Sequence, residues 1–303
     1  MDISERFNEI KHEGNMLRID PNHPLNLFIG LDQNRNRVFI LKSKKRLKKT
    51  KSTKALDISL LEMEGHSQLS IRLNNIQLKD IFLKFIQDIY DFTNLQSNEV
   101  DLINKYYSRV YLWKSTFSNP NRKILSNSSI RGLMGELLFL KSHMLNRFGL
   151  IDSLNAWVGP KKYKRDFETK DTWFEVKTKS SNSYTVKITS ISQLDVEVNG
   201  FLAVVSLDAT EIINDKTYNL NSLILEIFSI YDDLELLDSL QNRLDEIGYS
   251  YDPDYDDINF IIMNIDIYTI NEQTQILRKK DLPNSVTDVT YRLDINHLMK
   301  IRG

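Results

Sequence analysis

There is no cysteine among the 303 residues of this sequence. Disulfides and cysteine-ligated zinc sites are therefore excluded, and a reducing compartment is the matching expectation. No Gly-Lys dipeptide occurs, so a phosphate-binding P-loop is excluded and any ATP-driven step would belong to a partner. No run approaches the ~18 apolar residues that a membrane helix requires. The opening residues, MDISERFNEIKHEG, lack the apolar stretch of a signal peptide. The expectation is a soluble cytoplasmic protein with no membrane association. A large charge of one sign is lacking as well: the net charge is -1, so bulk charge does not announce a nucleic-acid binder.

What is present is ordinary globular material, 41% hydrophobic and 27% charged. The charge is unevenly spread. Segment 42–54, KSKKRLKKTKSTK, carries eight basic residues and no acidic one, whereas 231–257 is acidic and ends in DPDYDD. The basic segment reads either as a solvated loop between strands or as an arm that tracks phosphates through Lys44, Lys45, Arg46, Lys48 and Lys49. DPDYDD lacks the glycine and distal glutamate of a calcium loop and reads as a solvated acidic turn. In NKYYSRVYLWK, 104–114, aromatic and basic residues interleave, which suits either nucleic-acid contact or helical burial of Tyr106, Val110 and Trp113. The histidines His12, His23, His66, His143 and His297 show no metal-ligand spacing.

Periodicity predicts an α+β chain. Residues 25–41 read as two strands around a polar turn, and 56–73 as two more. Helical spacing covers 76–92 and about 98–117. A soft boundary falls in the polar stretch 118–129, dividing an N-terminal α+β region, 1–125, from a second part, 126–303. The second part opens with a helix over 130–147 that Gly149 would cap. Strands follow at 163–169, 172–179, 184–190 and 200–207, helices at 220–231 and 233–247, and strands at 258–270 and 286–295. This order predicts a mixed sheet flanked by helices.

The segment KRDFETKDTWFEVKTK, 164–179, carries the candidate chemistry. Turn residues at Thr169–Asp171 make it a hairpin. Side chains alternate along a strand, so Glu175, Lys177 and Lys179 share a face, with Glu175 and Lys177 roughly 7 Å apart. Asp166 can come across from the other arm. Two converging carboxylates suit a hard cation such as Mg²⁺. A neighbouring lysine can orient or deprotonate water, or stabilise charge on a phosphate. At about 100° per residue, Glu136 lies at the edge of the preceding helix's apolar stripe, with His143 two turns further along that edge. Glu136 is then either a surface or paired glutamate, or a third carboxylate for the site.

Taken together, GLMGELLFL at 132–140, AWVGP at 156–160, RDFE at 165–168, FEVKTK at 174–179 and ISQL at 191–194 resemble a bacterial family described as PD-(D/E)XK motif proteins. DLPNSVTDVTYRLDI at 281–295 and LNLFIGLD at 25–32 extend the resemblance over most of the chain. It implies a restriction-endonuclease-like fold, with Asp166, Glu175 and Lys177 as the signature triad, Glu136 as an accessory carboxylate and Gln193 as a site glutamine. Asp166, Glu175, Glu136 and the Val176 carbonyl would be metal ligands, and Lys179 a DNA contact. The proline of the motif's name is absent, because Arg165 precedes Asp166. The implied activity is an Mg²⁺-dependent endonuclease, with Mn²⁺ as a substitute, acting on double-stranded DNA in restriction or phage defence. The implied partners are a DNA methyltransferase or helicase, and the N-terminal region would serve DNA recognition or assembly. A chain that binds DNA but cuts only with such a partner is the other reading. Enzymes that cut both strands often dimerise, but no homodimer interface is readable here.

Overall fold

The alternating and helical patterns are realised in two compact units. The computed structural model describes residues 1–118, 123–161, 165–195 and 198–301. One unit comprises 1–122 with 228–241, the other 123–227 with 242–303. Segment 228–241, which the sequence reading leaves in the C-terminal part, thus groups with the N-terminal unit. Residues 119–122 of the polar boundary stretch lie outside the described residues.

The first unit opens with α1 (Ile3–Asn8) and β1 (Met16–Arg18). Strands β2 (Asn26–Leu31), β3 (Arg37–Ser43), β4 (Leu56–Met63) and β5 (His66–Leu73) complete an antiparallel sheet in the order β1-β2-β3-β5-β4. The β2–β3 turn is closed by Asp32, whose Oδ1 accepts from the N–H groups of Asn34 and Asn36. Along β5 the residues Ser67, Leu69, Ile71 and Leu73 are buried in strict alternation. Helices α2 (Lys79–Thr93) and α3 (Glu99–Ser118) cover this face. Phe39 of β3 meets the rings of Phe85 and Tyr106, each at 6.0 Å. Tyr106, Tyr107, Tyr111 and Trp113 are all buried, so burial accounts for the aromatic run of α3. Two of its basic residues are paired, Arg109 with Asp88 and Lys114 with Asp238.

The second unit begins with α4 (Asn127–Phe139), capped by Ser126, whose Oγ accepts from Ser129 N at 3.2 Å. The helix expected over 130–147 does not run straight. A π turn at Leu140–Met144 leads into α5 (Leu145–Ala156), within which Gly149 adopts φ 75° and breaks the helical path. The chain resumes a helical course beyond the glycine instead of ending there.

Next come β6 (Phe167–Glu168), β7 (Trp173–Lys179), β8 (Thr185–Ile188), β9 (Gly200–Ala209) and β10 (Thr217–Tyr218). They are followed by α6 (Leu220–Ile230), α7 (Leu234–Ile247), β11 (Phe260–Ile270) and β12 (Tyr291–Asp294). The central sheet has the order β10-β11-β9-β7-β6, and β7–β9 is its parallel pair. The strand expected at 163–169 shortens to Phe167–Glu168, and residues 163 and 164 lie outside the described residues. The strand expected at 286–295 shortens to Tyr291–Asp294, because its partner β8 offers only Thr185–Ile188 for pairing.

Both faces of β7 are covered, so its first four residues are buried without alternation. On one face, Gly135 of α4 lies so close that a Cβ there would stand 2.4 Å from Thr178 Cγ2. On the other, Trp173, Leu202 and Val204 pack with Val186, Ile188 and Leu293. Among the described residues no helix is long and apolar enough to cross a membrane.

Candidate metal centre

Strand β7 sets the geometry. Lys177 Nζ donates to Glu175 Oε1 at 2.5 Å, and Glu175 is 1% exposed. Between them Val176, expected to supply a carbonyl ligand, donates its N–H to Asp166 Oδ2 at 2.7 Å. Asp166 is not itself on a strand. It sits just ahead of β6, where its carbonyl accepts from the N–H groups of Val158 and Gly159 at 2.9 and 3.0 Å. Glu136 arrives from α4, and its Oε2 accepts from the indole N–H of Trp157 at 2.7 Å. Gly159 connects the two acids. A Cβ there would lie 3.0 Å from Asp166 Oδ1 and 3.2 Å from Glu136 Oε2. Four of the residues singled out in the sequence, Glu136, Asp166, Glu175 and Lys177, therefore converge.

The electrostatics follow from this crowding. Burial, then the Asp166 charge, pushes the Glu175 carboxyl up to about 8. Burial likewise raises Glu136 well above the carboxylate range, with Asp166 adding to the effect. Burial raises Asp166 too, against the opposing pull of Lys177 and the Val176 N–H. For Lys177, burial disfavours the charged form, but Glu175 and Asp166 outweigh it and the ammonium is held above its usual range. In this arrangement Lys177 is a charged donor, not a proton acceptor.

Buried Glu175 and half-buried Glu136 and Asp166 beside one lysine form an oxygen donor set whose ionised form carries an excess of negative charge, which a divalent cation relieves. Two features of the structure fit such an ion. Glu175 Oε2 is buried without a hydrogen-bond partner. The gap beside Gly159, which a single methyl group would fill, is faced by two carboxylate oxygens. Among the described residues no group of three or more Asp, Glu or His side chains is arranged to hold a metal as it stands. One oxygen of each acid is hydrogen-bonded within the protein: Glu175 Oε1 to Lys177, Asp166 Oδ2 to Val176 and Glu136 Oε2 to Trp157.

Other expected residues stand elsewhere. Gln193 Oε1 accepts from Thr189 N, Thr189 Oγ1 and Ser190 N, closing a capping box on the short 3-10 turn Ile191–Gln193. None of these bonds reaches the four acid and lysine side chains. His143 does not continue the Glu136 edge. The wider π turn alters the angular step, and the imidazole stacks on Phe139 at 4.9 Å and meets Phe174 edge-on at 5.6 Å. Lys179 is half-buried at the end of β7, its Nζ 3.4 Å from the Ser180 carbonyl.

In the first unit the basic segment forms an anchored loop. Leu47 and Thr50 are buried, and the Tyr107 hydroxyl both donates to Lys48 O and accepts from Lys48 N, each at 2.7 Å. Lys44, Lys45, Arg46, Lys48 and Lys49 remain exposed. Arg46 pairs with Glu62 at 3.3 Å, and Lys48 Nζ donates to the Asp232 carbonyl at 2.9 Å. DPDYDD is a capped 3-10 turn in which Tyr255 is buried and Asp256 Oδ1 accepts from Asn221 Nδ2 at 2.9 Å.

Sequence reasoning gave no site role to Trp157, Gly159 or Arg165, although it noted Arg165 ahead of Asp166 and the AWVGP segment. Arg165 takes the place of the motif's proline. Its guanidinium lies 4.7 Å from the Trp173 ring centroid, and its charge acts to lower the Glu175 pKa. The signal for the other two was the tryptophan and Gly-Pro pair of AWVGP, immediately ahead of the acid segment.

A family model described as "Putative PD-(D/E)XK family member, (DUF4420)" matches residues 3–296. No curated protein and no solved structure matches the chain.

Proposed function

Since this chain belongs to that PD-(D/E)XK family, we propose that it is a metal-dependent nuclease that hydrolyses phosphodiester bonds in double-stranded DNA. The observation that supports this reading is the grouping of Glu136, Asp166 and Glu175 close enough to act on one another's charge, beside Lys177. Asp166 and Glu175 would hold Mg²⁺, or Mn²⁺ in its place, with Glu136 as a third oxygen donor. The bound ion would supply a water of lowered pKa and neutralise charge on the phosphoryl group. Val176 holds Asp166 in place through its N–H. Glu175 Oε1, held here by Lys177, would be available to the ion, and the Lys177 ammonium, kept charged by its neighbours, would then stabilise charge on the attacked phosphate or orient the water. The exposed cations of loop 44–49 bind DNA phosphates without reading sequence.

The test is incubation of the purified protein with unmethylated duplex DNA and Mg²⁺ or Mn²⁺. Cleavage is expected, falling on the order of 10²-fold or more in Asp166→Ala and in Lys177→Ala. Cleavage undiminished in both variants overturns the assignment.

The exposed basic loop supports a second reading, in which the chain is the DNA-binding subunit of a defence complex. Salt-sensitive DNA binding, with cleavage appearing only when a methyltransferase or helicase partner is added, distinguishes it.

A further inference from the structure

Three consecutive residues touch both acids that do not lie on β7. Trp157 donates its indole N–H to Glu136 Oε2, and the next two N–H groups hold the Asp166 carbonyl. Gly159 then leaves the gap between the two carboxylates unfilled. Trp157 is itself immobilised. It is fully buried, its carbonyl accepts from Arg243 Nε at 3.0 Å, and it forms a β-bridge with Phe167, the two rings stacking at 6.4 Å.

We infer that segment 157–159 is a clamp that sets the spacing of the Glu136 and Asp166 carboxylates, with Trp157 as a positioning residue acting through Glu136. The inference rests on the metal-site reading. Its physical basis is the kind of donor used. An indole N–H is neutral and cannot ionise, so it orients a carboxylate without cancelling its charge. A lysine or arginine in the same place would form an ion pair and compete with a cation for Glu136. A tryptophan that needed only an acceptor could use any backbone carbonyl. Here it uses the half-buried carboxylate of Glu136, and the rigid chain that carries it also holds the second acid through its backbone carbonyl. Partners of this kind commonly account for 10- to 100-fold in metal affinity.

The experiment is a double-mutant cycle read by Mn²⁺ binding to the full chain, followed by electron paramagnetic resonance. Trp157→Phe keeps the ring and removes the donor. It is expected to weaken Mn²⁺ binding roughly 10-fold or more in the wild-type background and to have little effect in Glu136→Gln. Equal losses in both backgrounds, or no loss in the wild type, overturn the clamp while leaving the metal site standing. A wild-type protein that binds no Mn²⁺ overturns the metal reading and the clamp with it. A metal-free readout accompanies the cycle. The indole ¹⁵N–¹H resonance lost in Trp157→Phe is expected to shift and to exchange faster in Glu136→Ala, and an unmoved resonance also overturns the clamp.

Discussion

Glu175 presents its two oxygens to opposite circumstances: Oε1 accepts from Lys177 Nζ at 2.5 Å, while Oε2 is buried with no hydrogen-bond partner. A carboxylate so divided is costly to ionise unless a cation meets the second oxygen.

The first prediction is a pH dependence of stability in metal-free protein. A carboxyl whose folded pKa is about 8, against an ordinary 4.5, takes up a proton on folding. Stability is therefore fully present below about 4.5 and is lost as pH rises to about 8. At about 1.4 kcal/mol per pKa unit the loss amounts to a few kcal/mol. Thermal melts in chelator should show Tm falling between pH 5 and 8, with the slope reduced in Glu175→Gln and reduced further when Glu136→Gln is added, because burial raises that carboxyl too. Millimolar Mg²⁺ should recover the melting temperature at pH 8. A flat wild-type profile would contradict this account.

A methyl group at position 159 probes the gap. The Cβ of Gly159→Ala would stand 3.0 Å from Asp166 Oδ1 and 3.2 Å from Glu136 Oε2, crowding two oxygens that would be offered to a cation. Isothermal titration with Mn²⁺ should show affinity reduced about 10-fold or more. Unchanged affinity in a folded variant would place the ion elsewhere.

Gln193 provides a contrast. Its Oε1 caps a short turn through Thr189 and Ser190. Gln193→Ala should cost about 1 kcal/mol in chemical denaturation and leave Mn²⁺ affinity unchanged. A loss of metal binding would return this residue to the site.

The basic loop predicts a salt slope. Replacing Lys44, Lys45 and Lys49 together with glutamine removes three exposed cations without disturbing buried Leu47. The slope of log K against log salt should become shallower by about 2 to 3. Binding with an unaltered slope would show that DNA does not engage the loop.

How much of this was legible in the sequence depends on whether the determinant is local. The hairpin of β2 and β3, helices α2 and α3, and β7 itself all follow from periodicity and turn residues. So does the shared face of Glu175 and Lys177. The parallel pairing of β7 with β9 is a long-range choice that no local pattern reports. The position of Asp166 ahead of β6 depends on two N–H groups from 158 and 159, again a tertiary contact. The π turn spoils an otherwise sound angular argument, which is why Glu136 reaches the cluster and His143 does not. Gln193 shows the opposite limit: its local capping bonds were open to reading from Thr189, Ser190 and Gln193 alone.

The contact of Gly135 with Thr178 carries a consequence for descent. A Cβ at 135 would fall 2.4 Å from Thr178 Cγ2, so any larger residue must lift α4 away from β7 or be matched by a smaller one at 178. Glu136 is the very next residue and would be displaced with the helix. Across related chains the residues at these two positions should therefore change together where the grouping of the acids is retained. A bulky residue at 135 without compensation at 178 would mark a lineage whose centre has lapsed, even with every acid still in place.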